Sequence, residues 1–308
     1  MSRMTEKVIQ EFHQFLAKKA PQGPKDDEEL QHLMDEFFTQ YNELIQDDDA
    51  INSMDVYDYL EMADKAITKR KKKEYLAQAA ALEPNNMDVK LAQAETDAKS
   101  PLDLIAALPA LIQEEREHLK QQQIYNHNKG DFWLVFETRP YMRLLQRYMM
   151  ALIECGVTNR AIQIGEEMLR LNENDNQGIR FILIALYAQS GNEMKALQLY
   201  KHSPEEKDSP SYLLPLALLY FKLGEWDKAK SYLKTLKQTC SGTKKFLHAV
   251  KTENEYVLHD MYNPMGYRPG TVSELLEHYF ANLNVYDCEP YFFAWADKTL
   301  VVHRKKKA

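Results

Sequence analysis

Two arginines, Arg143 and Arg180, carry the recognition chemistry this chain offers most plainly. A planar guanidinium fork holds a carboxylate through two parallel hydrogen bonds, which suits capture of an acidic segment rather than a reaction. A second feature is electrostatic. The run Lys69-Arg70-Lys71-Lys72-Lys73 puts five cations in a row, enough to engage phosphates of a nucleic acid with salt-dependent affinity. Consecutive residues of a helix point in all directions and acidic neighbours offer internal partners, so a solvated turn between helices is the other reading. Groups that make and break bonds form no pattern. Nine histidines are scattered without an HExxH or a metal-spaced pair, and only folding could bring His118 to His127 or His248 to His259. Asp26-Asp27 and Asp47-Asp48-Asp49 lack the ligand order of a calcium loop. Cys155, Cys240 and Cys288 are an odd set at wide spacing with no CxxC pair, and buried thiols are expected. The expectation is a protein without catalytic residues, cofactor or metal: not an enzyme.

Positioning the arginines falls to a repeat. Gly156 with Ala161, Gly191 with Ala196 and Gly224 with Ala229 form one recurring mark, and both members step by 35 and then 33 residues. A period near 34 is the tetratricopeptide spacing, in which one helical hairpin buries its apolar face only when a neighbour stacks on it. The alanines fall where the two helices of a hairpin cross, letting the axes approach. The fold expected is all-α: a right-handed superhelix of tetratricopeptide-like hairpins with a helical N-terminal extension and a C-terminal cap. In such a hairpin the first helix lines the concave groove. Its outward positions are Arg143, Gln146 and Met150, then Gln177, Arg180, Ile184 and Tyr187, then Leu214, Leu218, Phe221 and Lys222. They form either a groove for an extended or helical peptide or a surface covered by the terminal helices or a second subunit.

Helical spacing predicts a helix over Thr5 to Lys19, broken by Pro21, Gly23 and Pro24, and a second carrying Leu30, Leu33, Phe37, Tyr41, Leu44 and Ile45. A third carries Val56, Leu60, Ala63 and Ile67, and a fourth, through Leu76 and Leu82, ends at Pro84-Asn85-Asn86 as a degenerate repeat. Further helices are expected from Met87 to Ala98 and from Pro101 to Gln123, then a polar loop over Asn126 to Asp131. After Gly242 the repeat fades into a short helix with Phe246 and Leu247, a loop from Asn263 to Gly270 and a helix opened by the capping box Thr271 to Glu274. A last helix runs near Pro290 to Val302, before the basic tail Arg304-Lys305-Lys306-Lys307. The expected divisions are 1–50, 51–125, 126–240 and 241–308.

Two segments go beyond a generic repeat: Phe132-Trp133-Leu134-Val135-Phe136-Glu137-Thr138-Arg139-Pro140-Tyr141-Met142-Arg143, and Met168-Leu169-Arg170-Leu171-Asn172-Glu173-Asn174-Asp175-Asn176-Gln177-Gly178-Ile179-Arg180. Together they resemble the paired signatures of the suppression-of-tumorigenicity-seven-like family and its bacterial relatives with tetratricopeptide repeats, from about residue 56 onward. Glu173 departs from the pattern, standing where that family and the repeat usually place proline. The resemblance implies a helical repeat fold with an interaction role and supplies no reaction. Read from the residues alone, Glu137 and Arg139 make an ion pair and the Asn and Asp residues cap the next helix, or the same polar groups hold a ligand.

Composition fits this picture. With 308 residues, 44% hydrophobic and 28% charged, the chain can build a large core. Its charge of −7 sits in the first hundred residues, with 13 Lys and Arg against 21 Asp and Glu. An acidic chain has no global field for nucleic acid. No apolar run approaches the roughly 18 residues of a membrane span, and no uncharged apolar stretch marks a signal peptide near the start. A cytoplasmic location is expected. The function expected is protein binding by an adaptor, scaffold or assembly factor, with nucleic-acid or ribonucleoprotein binding through Lys69 to Lys73 and the basic tail as the alternative.

Overall fold

The computed structural model describes residues 3–46 and 54–300, and no β-strand occurs among the described residues. The Asp47 to Asp49 turn, the end of the expected last helix and the tail Arg304 to Lys307 lie outside them. Contacts divide the chain into two compact units, residues 1–151 and 152–308; each is described by itself.

In the first unit, α1 (Arg3–Lys19) and α2 (Asp27–Gln46) are the expected N-terminal pair. Asp26 Oδ1 accepts from Glu29 N at 2.8 Å, capping α2, and the Phe37 ring meets Phe12 and Phe15 at centroid distances of 5.2 and 5.6 Å. The hairpin of α3 (Val56–Lys65) and α4 (Lys69–Leu82) closes on Val56, Leu60, Ala63, Leu76 and Ala79. Ile67 lies past the end of α3 and is fully exposed. The basic run is not an inter-helix turn: it forms the opening of α4, with Thr68 Oγ1 accepting from Lys71 N at 3.2 Å. Asn86 caps α5 (Met87–Asp97), and α6 (Pro101–Gln121) continues through Pro109. A short α7 (Ile124–His127) runs into the start of the expected polar loop. A 3-10 turn at Phe136–Thr138 leads into α8 (Arg139–Glu154).

The second unit continues with α9 (Thr158–Leu171), α10 (Ile179–Gln189), α11 (Glu193–His202), α12 (Pro210–Lys222) and α13 (Trp226–Thr239). Three of its turns are the same object. Gly156, Gly191 and Gly224 have φ of +71°, +69° and +75°, and in each the next residue's N–H reaches back five residues: Val157 to Leu152 O, Asn192 to Tyr187 O, Glu225 to Tyr220 O, at 2.8 to 2.9 Å. This is the Schellman ending, which satisfies helix-end carbonyls and needs one left-handed residue. Ala161, Ala196 and Ala229 follow, all fully buried.

The structure adds a fourth copy. After α14 (Thr243–Lys251) the chain turns at Glu253, φ +52°, with Asn254 N bonded to Ala249 O at 2.9 Å, and enters α15 (Glu255–Met261). Asn254 Oδ1 accepts from Val257 N at 3.1 Å, as Asn192 Oδ1 accepts from Lys195 N at 3.2 Å. The repeat therefore continues where the sequence mark ends, because glutamate replaces the glycine and Leu258 replaces the crossing alanine. A left-handed non-glycine residue costs about 1–2 kcal/mol, partly offset by glycine's greater chain entropy. Glu253→Gly is expected to raise stability by about 0.5–1 kcal/mol in urea unfolding; a lowered midpoint would show that the Glu253 side chain holds the turn.

The chain closes with α16 (Val272–Ala281), α17 (Leu283–Tyr286) and α18 (Pro290–Thr299). Gly242 permits the approach of α14 to α16: a Cβ there would lie 3.1 Å from Val272 Cβ. The Thr271 cap forms, accepting from Glu274 N at 3.4 Å, but Glu274 does not return the bond in the expected box. Its carboxylate accepts instead from Gly270 N at 2.6 Å and from the Ser209 hydroxyl.

Candidate functional site

The positions expected to line a groove are largely internal. Apolar on all sides, α12 is buried along its length from Pro210 to Tyr220, the condition of a helix packed from several directions. It touches α10, α13 and α16, and Leu214 and Leu218 are fully buried within it, as is Ile184 within α10. Phe221 is covered by the C-terminal helix, its ring 5.6 Å from Phe292 and 5.1 Å from Trp295, and Lys222 pairs with Glu289. Buried Tyr187 donates to Glu166 at 2.8 Å, its hydroxyl held above the usual phenol range by burial and by that carboxylate. Gln177 lies in the turn before α10, while Gln146 and Met150 are half-buried on α8. Ile184, Leu214 and Leu218 are therefore packing positions rather than an open lining, and apolar burial is the reason.

Both arginine forks hold carboxylates, as their chemistry requires, but carboxylates of the same chain. Arg143 grips Asp88 through Nε at 2.7 Å and Nη2 at 2.6 Å, and reaches both oxygens of Glu6 at 3.0 Å. Arg180 takes Glu206 through Nε at 3.0 Å and Nη2 at 2.8 Å, and Asp175 through Nη1 at 3.0 Å. Asp175 also accepts from the Ile179 and Arg180 N–H groups, so it caps α10 as expected. In the other noted segment Arg139 lies 3.3 Å from Glu6, donates to Trp133 O at 2.7 Å and covers the Phe136 ring. Thr138 donates to Phe132 O and to Val135 O. These contacts make both segments fastenings of the fold. The basic run is occupied too: Arg70 and Lys71 meet Glu74 at 3.2 Å, Lys73 meets Asp97 at 2.6 Å, and Lys72 lies 4.0 Å from Asp64. Of the cysteines, Cys240 is buried, and burial pushes its thiol up to about 11, but Cys155 is half-buried and Cys288 exposed.

What the sequence missed is a cleft in the second unit, about 460 Å³ in volume. Its floor is Leu258, Tyr279, Phe280, Leu283, Tyr286 and Phe293, contributed by α15, α16, α17 and α18. The rings brace one another: Tyr279 stacks on Tyr286 at 5.6 Å, Phe293 stands edge-on to both, and His259 stacks on Phe280 at 5.6 Å. Behind the floor, fully buried His278 is hydrogen-bonded through Nε2 to the Tyr286 hydroxyl at 2.7 Å, and Asn282 donates to the His278 carbonyl at 2.9 Å. Burial lowers the imidazole to about 3 and pushes Tyr279 up to about 12, so both are neutral near pH 7. The rim carries Lys251, Glu253, Glu255, His259 and Asp287. A second, more open cleft of about 650 Å³ lies beside Arg180, with Leu169 and Leu199 in its lining.

An apolar cleft with a few rim charges is the usual form of a binding site. The aromatic spacing of Tyr279, Phe280, Tyr286 and Phe293 was in the sequence as a signal, but it reads equally as the core of a capping helix pair. Comparison of the chain with protein-family models, curated proteins and solved structures finds no match. Among the described residues no helix is long and apolar enough to cross a membrane.

Proposed function

We propose that this protein is a non-enzymatic interaction module of the tetratricopeptide-like kind, and that it anchors a segment of a partner protein in the cleft at the fourth hairpin. The observation that carries this reading is the open aromatic floor between α15 and α18, beside a leucine that remains 37% exposed at position 283. Aromatic and aliphatic anchors set in such recesses supply most of the energy of peptide recognition, and a surrounding rim excludes water. The recurring hairpins support the reading, because solenoids of this type present surfaces rather than reacting groups.

Site-specific photocrosslinking tests it. A photoreactive residue at position 283 is expected to form a discrete covalent adduct with a cellular protein, and Phe280→Ala in the same chain is expected to abolish the adduct. The same group at exposed Lys237 on α13 is the control. Equal adducts at 283 and 237, or adducts indifferent to Phe280→Ala, would overturn the proposal.

A further inference from the structure

Resting on that reading of the cleft, we infer that the partner segment presents a lysine or arginine, whose aliphatic stem lies on the aromatic floor while its cation meets the rim. The rim's charge is the argument. Three carboxylates, Glu253, Glu255 and Asp287, border the cleft, and none has an ion-pair partner among the described residues. The rim lysine does not neutralise them, because Lys251 donates to Asp297 at 2.9 Å, a carboxylate it shares with His248. The site is therefore a ring-lined recess with unbalanced negative charge at its mouth.

Both halves favour the same side chain. Aromatic faces attract a cation held within about 6 Å of the ring, and long basic side chains cover apolar surface with their methylenes while keeping the charge at the edge. An acidic segment meets three like charges; a purely aliphatic one leaves them unused. Glu253 adds support: at this position the sister turns carry Gly156, Gly191 and Gly224, yet here a carboxylate is kept in a left-handed conformation that suits glycine better.

Fluorescence anisotropy decides the matter with a labelled glycine-serine peptide carrying a central Leu-Lys-Leu, compared with versions holding glutamine or glutamate in the lysine position. At low salt the lysine peptide is expected to bind about tenfold more tightly than the glutamine peptide, and the glutamate peptide most weakly. The combined variant Glu253→Gln, Glu255→Gln, Asp287→Asn is expected to erase the preference, so that the lysine and glutamine peptides bind it equally. Phe280→Ala is expected to weaken all three peptides. Equal binding of the lysine and glutamine peptides, or a preference that survives the combined variant, overturns the inference and leaves the cleft as a partner site. No peptide binding together with no adduct at position 283 overturns both. Binding that appears only after Arg304 to Lys307 are changed to glutamine shows the chain's own tail, in cis or from a second copy, to be the occupant, and overturns the partner.

Discussion

Arg143→Ala is expected to destabilise the first unit by about 3–5 kcal/mol, the cost of removing one member of a buried charge network. Glu6 and Asp88 are 2% and 3% exposed, and the guanidinium supplies four hydrogen bonds to them. Without it both carboxylates stay desolvated and lose their main counter-charge, while Arg139, 3.3 Å from Glu6, compensates one of them only in part. Arg143→Lys is expected to recover little of the loss, because an ammonium cannot make the two-pronged contact to Asp88 while spanning to Glu6. Urea unfolding of the intact chain measures the effect. A midpoint for Arg143→Ala within about 0.5 kcal/mol of the parent would mean that water satisfies these carboxylates and that the network is surface chemistry.

The same network shows how far a sequence can be read. Arg143 and Arg180 were legible as carboxylate forks because that chemistry belongs to the side chain. Which carboxylate each would hold was not, since Glu6 stands 137 residues from Arg143 and Asp88 55. Hairpin turns were legible for a local reason: a left-handed residue and a small crossing residue leave a glycine and an alanine at fixed separation. Where Glu253 and Leu258 take those places, the geometry persists through backbone hydrogen bonds that no sequence pattern records. That exception also made the cleft invisible, because Glu253 and Leu258 are both among its lining residues. The burial of Leu214 and Leu218 was hidden differently. An outward position on a first helix is exposed only if nothing packs over it, and α12 is packed by α16, residues 272–281, as well as by α10 and α13.

Acid is expected to weaken the protein through His278, and the sign follows from its burial. Desolvation disfavours the imidazolium, so the folded-state value falls from the ordinary 6.5 to about 3. Between those two values the unfolded chain holds a proton that the folded chain does not, and stability rises with pH across that interval. The contribution of neutral His278 is complete above about pH 6.5 and drains away as pH falls toward 3, by about 1.4 kcal/mol per unit at the steepest. At pH 5 the loss is about 2 kcal/mol. His278→Gln isolates it, since an amide keeps a hydrogen-bonding group beside the Tyr286 hydroxyl and does not titrate. The variant is expected to be less stable than the parent at pH 7 and to close the gap as pH falls to 5. Parallel stability curves from pH 7 to 5 would place the proton elsewhere. Tyr286 both bonds His278 and floors the cleft, and because the folded chain keeps that imidazole neutral down to about pH 3, the support behind the floor persists across the range in which stability falls.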